Sequence, residues 1–378
     1  MNLWYPKVIM VKYHDLKFAV LGAGHGGKAM AAHLAIKGFK VNLYNRTYSK
    51  IHPILKLKGI ELEGEVSGFG KINVVTDNIE EALKDVDIIM VVVPAFAHGS
   101  IAERCAPYLK DGQLVVLNPG RTAGALEFLN VLRERGNYSD VIISEAQTFI
   151  YASRGMGPAT AKIFRIKQAI PVAAIPAIKT DMAIDMLNEA YPEFISGTSV
   201  IETSFNNMGA VFHPAITILN ASRIESTLGN FQFYIEGVTP AVAKILEAVD
   251  KERVEVAHAL KCKNVLSAMD WLSMAYNVIE DSLFDAIHSN PGYRGIMAPQ
   301  TVNVRYITED IPMSLVPISE FGRIFGVDTT AIDSLINLAN IIFKTNFWKT
   351  GRNLKRLGLE GLSLEQIRNV FIDGKINK

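Results

Sequence analysis

The stretch Phe18-Ala19-Val20-Leu21-Gly22-Ala23-Gly24-His25-Gly26-Gly27 decides how the chain is read. Four apolar residues make a buried strand, and the residues after them fill the G-x-G-x-x-G pattern with a spare glycine at Gly26. Alone, the pattern is weak. Set between an apolar strand (17–21) and an Ala-, Met- and Leu-rich helical run (27–37), it specifies a strand–turn–helix that cradles a pyrophosphate. Gly22 permits the tight turn, Gly24 lets phosphate reach the backbone, and Gly27 lets helix and strand pack closely. The helix N-terminus offers its unpaired N–H groups to the anion. His25 and Gly26 share this loop and count as candidate cofactor contacts.

The end of the next strand (40–44) bears on which dinucleotide binds. An NAD site places Asp or Glu there to bond the ribose hydroxyls. This chain has Asn45, Arg46 and Thr47. A carboxylate would repel a 2′-phosphate, whereas Arg46 can pair with one through a forked contact, so NADP(H) is favoured over NAD(H). The competing reading has Arg46 stacked on the adenine or simply solvated.

Further along, short apolar runs alternate with helical patterns, as in a parallel sheet covered by helices. Strands are expected at 59–64 and 71–76 (a decorating hairpin), 87–93, 113–117 and 140–145. Helices are expected at 97–109 and 122–134, and one opens at Asn78 with Glu81 as a capping box. Residues 162–175 suit two more strands and 177–190 a helix. From about residue 200 the period is helical. Thr239-Pro240 starts a helix to about residue 260, 329–343 forms another, and Ser363 with Gln366 caps a last one. The expected architecture is a doubly wound α/β (Rossmann) domain over 1–195, then an all-α C-terminal domain over 196–378.

Composition agrees. The 378 residues suit two domains, and 49% hydrophobic against 20% charged residues excludes disorder. With 39 basic and 38 acidic residues there is no overall field to hold nucleic acid or an anionic membrane. No apolar run reaches bilayer-spanning length. Residues 1–15 lack the long apolar region and cleavage site of a signal peptide and read as an extension, with Met10 a second possible start. Two cysteines, Cys105 and Cys262, make neither a disulfide framework nor a multi-cysteine zinc site, so no metal is expected and a cytoplasmic setting fits. The hydrophobic helical half has room for a homodimer face.

Two loops follow strands on the ligand-binding edge, Val93-Pro94-Ala95 and Asn118-Pro119-Gly120-Arg121-Thr122. Pro94 and Asn118 are candidate cofactor neighbours, and Arg121 can take a substrate carboxylate or be solvated. Reduction of a carbonyl or imine needs a proton donor, which suits histidine. His14, His52 and His288 read as exposed, and His33 and His258 as helix packing or surface residues. His25 and His98 lie close enough to the strand ends to approach the cofactor. His213, in Phe212-His213-Pro214-Ala215, opens the helical half near the presumed cleft. It is read as catalytic, or as a capped or buried histidine.

The motifs around it carry a resemblance. They are His213-Pro214 with Leu219-Asn220-Ala221-Ser222-Arg223-Ile224-Glu225, the Asn118–Thr122 turn, and Glu145-Ala146-Gln147-Thr148 with Tyr151-Ala152-Ser153-Arg154. Glu236-Gly237-Val238-Thr239-Pro240 and Arg305-Tyr306-Ile307-Thr308-Glu309-Asp310-Ile311-Pro312 complete them. Together they resemble the opine dehydrogenases of the octopine and nopaline type, from the glycine loop to about residue 345. The resemblance implies NAD(P)H-dependent condensation of an amino acid's amine with a 2-oxo acid such as pyruvate. It implies that His213 is the general acid/base, that Asp310 orients it, and that Arg305 binds a substrate carboxylate. Gln147, Thr148 and Arg121 join the substrate candidates, with Arg154 and Arg223 as further cations. Arg223 also suits an ion pair with Glu225, and Trp271 and Tyr276 suit either an amine pocket or core. The alternatives are an NADP-dependent 2-oxo acid reductase of the ketopantoate type, or a dinucleotide-binding protein without turnover.

Overall fold

A computed structural model describes residues 15–375. His14 and almost all of the expected N-terminal extension lie outside the described residues.

The strands are β1 (Lys17–Leu21), β2 (Lys40–Tyr44), β3 (Gly59–Gly64), β4 (Gly68–Lys71), β5 (Val74–Thr76), β6 (Ile88–Val91), β7 (Leu114–Leu117), β8 (Ile142–Ala146), β9 (Tyr151–Gly157), β10 (Thr160–Ile166), β11 (Ile170–Ile175) and β12 (Phe194–Ser196). Interleaved with them are α1 (His25–Ile36), α2 (Tyr48–Leu57), α3 (Ile79–Leu83), α4 (His98–Cys105), α5 (Gly124–Glu134) and α6 (Thr180–Asn188). After β12 come α7 (Val200–Phe205), α8 (Gly209–Leu219), α9 (Ala221–Thr227), α10 (Pro240–Ala259), α11 (Ala268–Tyr276), α12 (Leu283–Ser289) and α13 (Arg305–Thr308). The chain ends in α14 (Val316–Phe325), α15 (Thr330–Phe343), α16 (Phe347–Thr350) and α17 (Leu364–Asp373).

Eight strands form the main sheet in the order β12-β11-β8-β7-β6-β1-β2-β5. From β5 to β8 every pairing is parallel, while β11 runs antiparallel to β8. The chain leaves β1 toward β2 on one side and later returns to β6 on the other. This reversal opens a crevice at the carboxyl ends of β1 and β6, where such sheets bind ligands. Alternate residues of each strand feed separate cores, Phe18, Val20, Ile88 and Met90 on one face and Ala19, Leu21, Ile89 and Val91 on the other. The second of these cores runs on into the helical half, joining Val115 and Leu117 to Phe212, Ile216 and Leu246. No helix among the described residues is long and apolar enough to cross a membrane.

A second sheet, β4-β3-β10-β9, covers α1 from the other side. Held between two sheets, α1 is buried along almost its whole length from Gly27 to Leu34, which explains its Ala-rich sequence. Here the structure corrects the expected hairpin. Residues 71–76 are not one strand, because Lys71 ends β4 while Val74–Thr76 forms β5 beside β2. The crossing is fixed at Asn73, whose backbone N–H donates to Val41 O and whose amide donates to Asn42 Oδ1 at 2.8 Å. Two elements lacked a sequence signal. α2 carries an internal Pro53 and buries only Ile51 and Ile54, and β9 contains Gly155 and Gly157. The capping box expected at Asn78 is a simple cap, its side chain accepting from Glu80 N. The Ser363–Gln366 box is present, and Thr239 caps α10.

Candidate active site

The glycine turn is built as its spacing requires. Gly22 has φ +116°, and a Cβ there would stand 2.4 Å from Val92 O. A Cβ on Gly27 would stand 1.7 Å from Gly22 O, so the first turn of α1 rests directly on the strand end. A Cβ on Gly26 would meet the Phe149 ring at 2.6 Å. On Gly24 it would meet nothing within 4 Å, and no side chain caps α1. The open cradle therefore lies over Gly24 at a helix N-terminus whose leading N–H groups take no side-chain acceptor, a fit for a pyrophosphate. Asn45 closes the turn from β2 by accepting from Ala23 N at 3.2 Å. His25 Nδ1 is occupied by Gly155 N at 2.9 Å, which ties the loop to β9.

Arg46 and Thr47 are exposed at the end of β2. Behind them the buried Tyr44 phenol is pushed up by burial, and the charges of Arg104 and Arg46 act against that. Two guanidinium groups therefore flank this strand end. Pro94 and Asn118 follow β6 and β7, whose ends are joined by Asn118 N donating to Val91 O. Asn118 Oδ1 is buried without a hydrogen-bond partner, an acceptor left over at the crevice.

Across the crevice, α8 carries His213 and the segment after α13 carries Asp310. His213 Nδ1 stands 2.9 Å from Asp310 Oδ2, and Asp310 is completely buried. A carboxylate can only accept, so Nδ1 carries the proton and donates. His213 Nε2 has no protein partner among the described residues, and 21% of the side chain is open to solvent. Tyr306 stacks on the ring at 4.2 Å and fixes its plane. Asp310 leads into a wide π-helical turn, Ile311–Leu315, a geometry frequent at functional sites.

The other Asp310 oxygen is held by Arg121 NH1 at 2.6 Å, so in this structure Arg121 is neither solvated nor free of partners. It also donates to Asn207 Oδ1 at 3.1 Å and stands 3.6 Å from Glu309. Its backbone takes φ +59°, an unusual conformation for a residue with a side chain. Arg352, fully buried on the segment after α16, secures the turn by donating to Thr122 O at 2.6 Å and Gly120 O at 3.1 Å. Glu309 accepts from Ala95 N at 2.9 Å and from Arg305 at 2.5 Å. Burial would raise its pKa, but Arg121 and Arg305 hold it down to about 2. Arg305 keeps 61% of its side chain exposed.

Thr148 accepts from Lys167 Nζ at 2.9 Å, and the Gln147 carbonyl accepts from Asn207 at 3.1 Å. Two other expectations, for His98 and for the partner of Arg223, are corrected. His98 is not at the cofactor crevice surface; it is fully enclosed, and burial and the adjacent Arg352 lower its pKa to about 3. Arg223 pairs with Glu236 at 2.6 Å and lies over the Phe231 ring, not with Glu225. Trp271 packs edge-on to Tyr276 and tilted against Phe212. Arg154 is exposed on β9. The unforeseen members are Glu309, Tyr306, Asn207, Lys167 and Arg352. Of these only Glu309 carried a signal, four residues after Arg305 on one helical face.

Residues 196–343 match the family model of the NAD/NADP octopine/nopaline dehydrogenase alpha-helical domain. Residues 17–120 match that of the NAD binding domain of 6-phosphogluconate dehydrogenase. An opine dehydrogenase from Arthrobacter sp. (strain 1C) is 40% identical over 353 residues, 93% of this chain and 98% of that protein. Octopine dehydrogenase in complex with NADH and agmatine has a TM-score of 0.80 at 22% identity, covering 96% of this chain and 99% of that one. NADP+-bound yersinopine dehydrogenase has a TM-score of 0.72 at 15% identity, covering 95% and 98%.

Proposed function

The chain belongs to the opine dehydrogenase family of NAD(P)-dependent oxidoreductases, and on that premise we propose that it condenses an amino acid with pyruvate or a similar 2-oxo acid. The observation that carries the reading is the buried Asp310 gripping His213 Nδ1 opposite the glycine cradle. The bound dinucleotide supplies a hydride. His213 Nε2 takes a proton from the substrate ammonium, the freed amine adds to the carbonyl carbon, and Nε2 passes that proton to the carbonyl oxygen. That oxygen leaves as water after a second proton, and the C=N carbon accepts the hydride. Overall, one ammonium group, one 2-oxo acid, one NAD(P)H and one proton give the secondary ammonium product, NAD(P)+ and water. Asp310 stabilises the imidazolium and keeps Nε2 aimed outward, as the carboxylate of a triad does. Arg121, itself neutralised, holds that carboxylate in place.

The Gly22–Gly27 turn, Asn45, Pro94 and Asn118 hold the cofactor in this reading. NADP(H) is the preferred form, supported by the exposed Arg46 and the neighbouring Arg104 in place of a carboxylate at the end of β2. Two free cysteines, both buried, suit the cytoplasm. The test is a matrix of amino acids against 2-oxo acids, read separately by oxidation of NADPH and NADH. Oxidation that requires both substrates is expected. Equal oxidation without the amine would instead make the enzyme a simple 2-oxo acid reductase.

A further inference from the structure

Lys167 lies in the connection between β10 and β11. Because β11 is antiparallel to β8, this connection stands beside the residues leaving β8, Gln147 and Thr148. Its backbone N–H donates to Ile150 O at 2.9 Å, and its half-buried ammonium donates to Thr148 Oγ1 at 2.9 Å. No acidic side chain pairs with it among the described residues. The charge it does feel is Arg121, of the same sign. Arg121 is already neutralised by Asp310 and Glu309, but Lys167 is not. Burial, then Arg121, lower the ammonium pKa to about 8. A cation in such surroundings binds an anion strongly, since the anion restores both a charge-assisted hydrogen bond and charge balance.

We propose that Lys167, together with the Thr148 hydroxyl, receives the carboxylate of the 2-oxo acid; this assignment rests on the condensation described above. Two substrate carboxylates need cations: Lys167 has no acidic partner, and Arg305, although paired with Glu309, keeps 61% of its side chain exposed to take a second anion. Chemistry assigns them. The carbon that is reduced carries the oxo acid's carboxylate one bond away, so that carboxylate lies deep, at the carboxyl ends of β6 to β8. The amino acid's carboxylate is two bonds farther out, which suits Arg305 at the mouth. An ammonium repels the amine substrate, so Lys167 serves the oxo acid alone. One oxygen of the carboxylate meets Nζ and the other Thr148 Oγ1.

The test compares full-length wild type with Lys167→Met, Lys167→Arg and Thr148→Val, each first shown to be folded by its melting curve. Lys167→Met is expected to raise KM for pyruvate about 10- to 100-fold. KM for the amino acid and for NAD(P)H should stay within about twofold. Preference for pyruvate over the uncharged pyruvamide should collapse in the same variant, and Lys167→Arg should recover most of it. Thr148→Val should act in the same direction by about 3- to 10-fold and stands as the second arm if Lys167→Met does not fold. An unchanged pyruvate KM, or an equal rise for both substrates, overturns the assignment. If wild type oxidises NAD(P)H with pyruvate alone, the condensation fails while Lys167 is still judged by the pyruvate KM. If wild type turns over no pair, pyruvate binding read by NAD(P)H fluorescence decides, and equal affinity in wild type and Lys167→Met overturns the proposal.

Discussion

Asp310 holds His213 by a single contact, Oδ2 to Nδ1 at 2.9 Å, and leaves Nε2 of the ring free. The hydrogen bond fixes the tautomer, and the buried charge stabilises the ring once protonated. Asp310→Asn keeps the shape but lets an amide N–H face Nδ1, which turns the tautomer around. We expect kcat to fall about a thousand- to ten-thousand-fold with NAD(P)H affinity kept within about twofold. Stopped-flow turnover and cofactor fluorescence measure the two separately. A kcat within tenfold of wild type would remove Asp310 from the mechanism.

Arg121 is the counter-charge of two buried carboxylates, Asp310 and Glu309. Replacing it with Met leaves Asp310 without a permanent cationic partner and Glu309 with Arg305 alone. Breaking buried pairs in this way costs about 3 to 5 kcal/mol, so urea unfolding should show a loss of that order alongside loss of activity. Unchanged stability with a raised substrate KM would return Arg121 to the role its sequence position suggests.

Gly24 and Gly27 separate cofactor binding from folding. A methyl on Gly24 points into open space, so Gly24→Ala should melt like wild type yet bind NAD(P)H at least about tenfold more weakly. A methyl on Gly27 collides with Gly22 O, so Gly27→Ala should lose stability and binding together. Calorimetry with and without cofactor tests both. Equal behaviour of the two variants would show that the cradle is not over Gly24.

What the sequence made legible follows from distance along the chain. The glycine turn is local, and its steric demands are written into six adjacent residues. The first two strands and the Thr239 cap are legible for the same reason. His213 and Asp310 are 97 positions apart, so only the family likeness paired them. The ion pairs of Arg121 are not legible because the carboxylates that claim it come from a segment almost two hundred residues later. Lys167 carries no signal, since a lone lysine between strands reads as solvated. β9 was missed because its glycines mimic a loop, although the strand exists to cover α1.

Arg46 makes cofactor choice testable. Arg46→Glu places a carboxylate where NAD-specific sites have one and opposes a 2′-phosphate. The ratio of kcat/KM for NADPH over NADH should fall about 100-fold or more, and Arg46→Ala about 10-fold, with Arg104 retaining part of the preference. Steady-state assays with the two cofactors read it. A ratio that does not move in either variant would leave the NADP(H) preference without a basis at this strand end.

His33 sets an acid limit on the fold. Its ring is buried between α1 and β9, with Nδ1 2.9 Å from Tyr151 OH, which bonds on to Tyr191 OH at 2.8 Å. Burial, and then the nearby Lys37, lower its pKa from 6.5 to about 4. The unfolded chain therefore binds the proton more readily between these values. Stability from the neutral ring is complete above about pH 6.5 and is lost as pH falls toward 4, at about 1.4 kcal/mol per pH unit. His98, lowered to about 3, adds a loss of the same sign. Urea unfolding of wild type should weaken steadily from pH 7 to 5. His33→Gln, which keeps a polar partner for Tyr151 without the titration, should show a slope shallower by about one proton. An equally steep slope in that variant would mean that His33 is protonated in the native state and that the buried relay to Tyr191 carries charge.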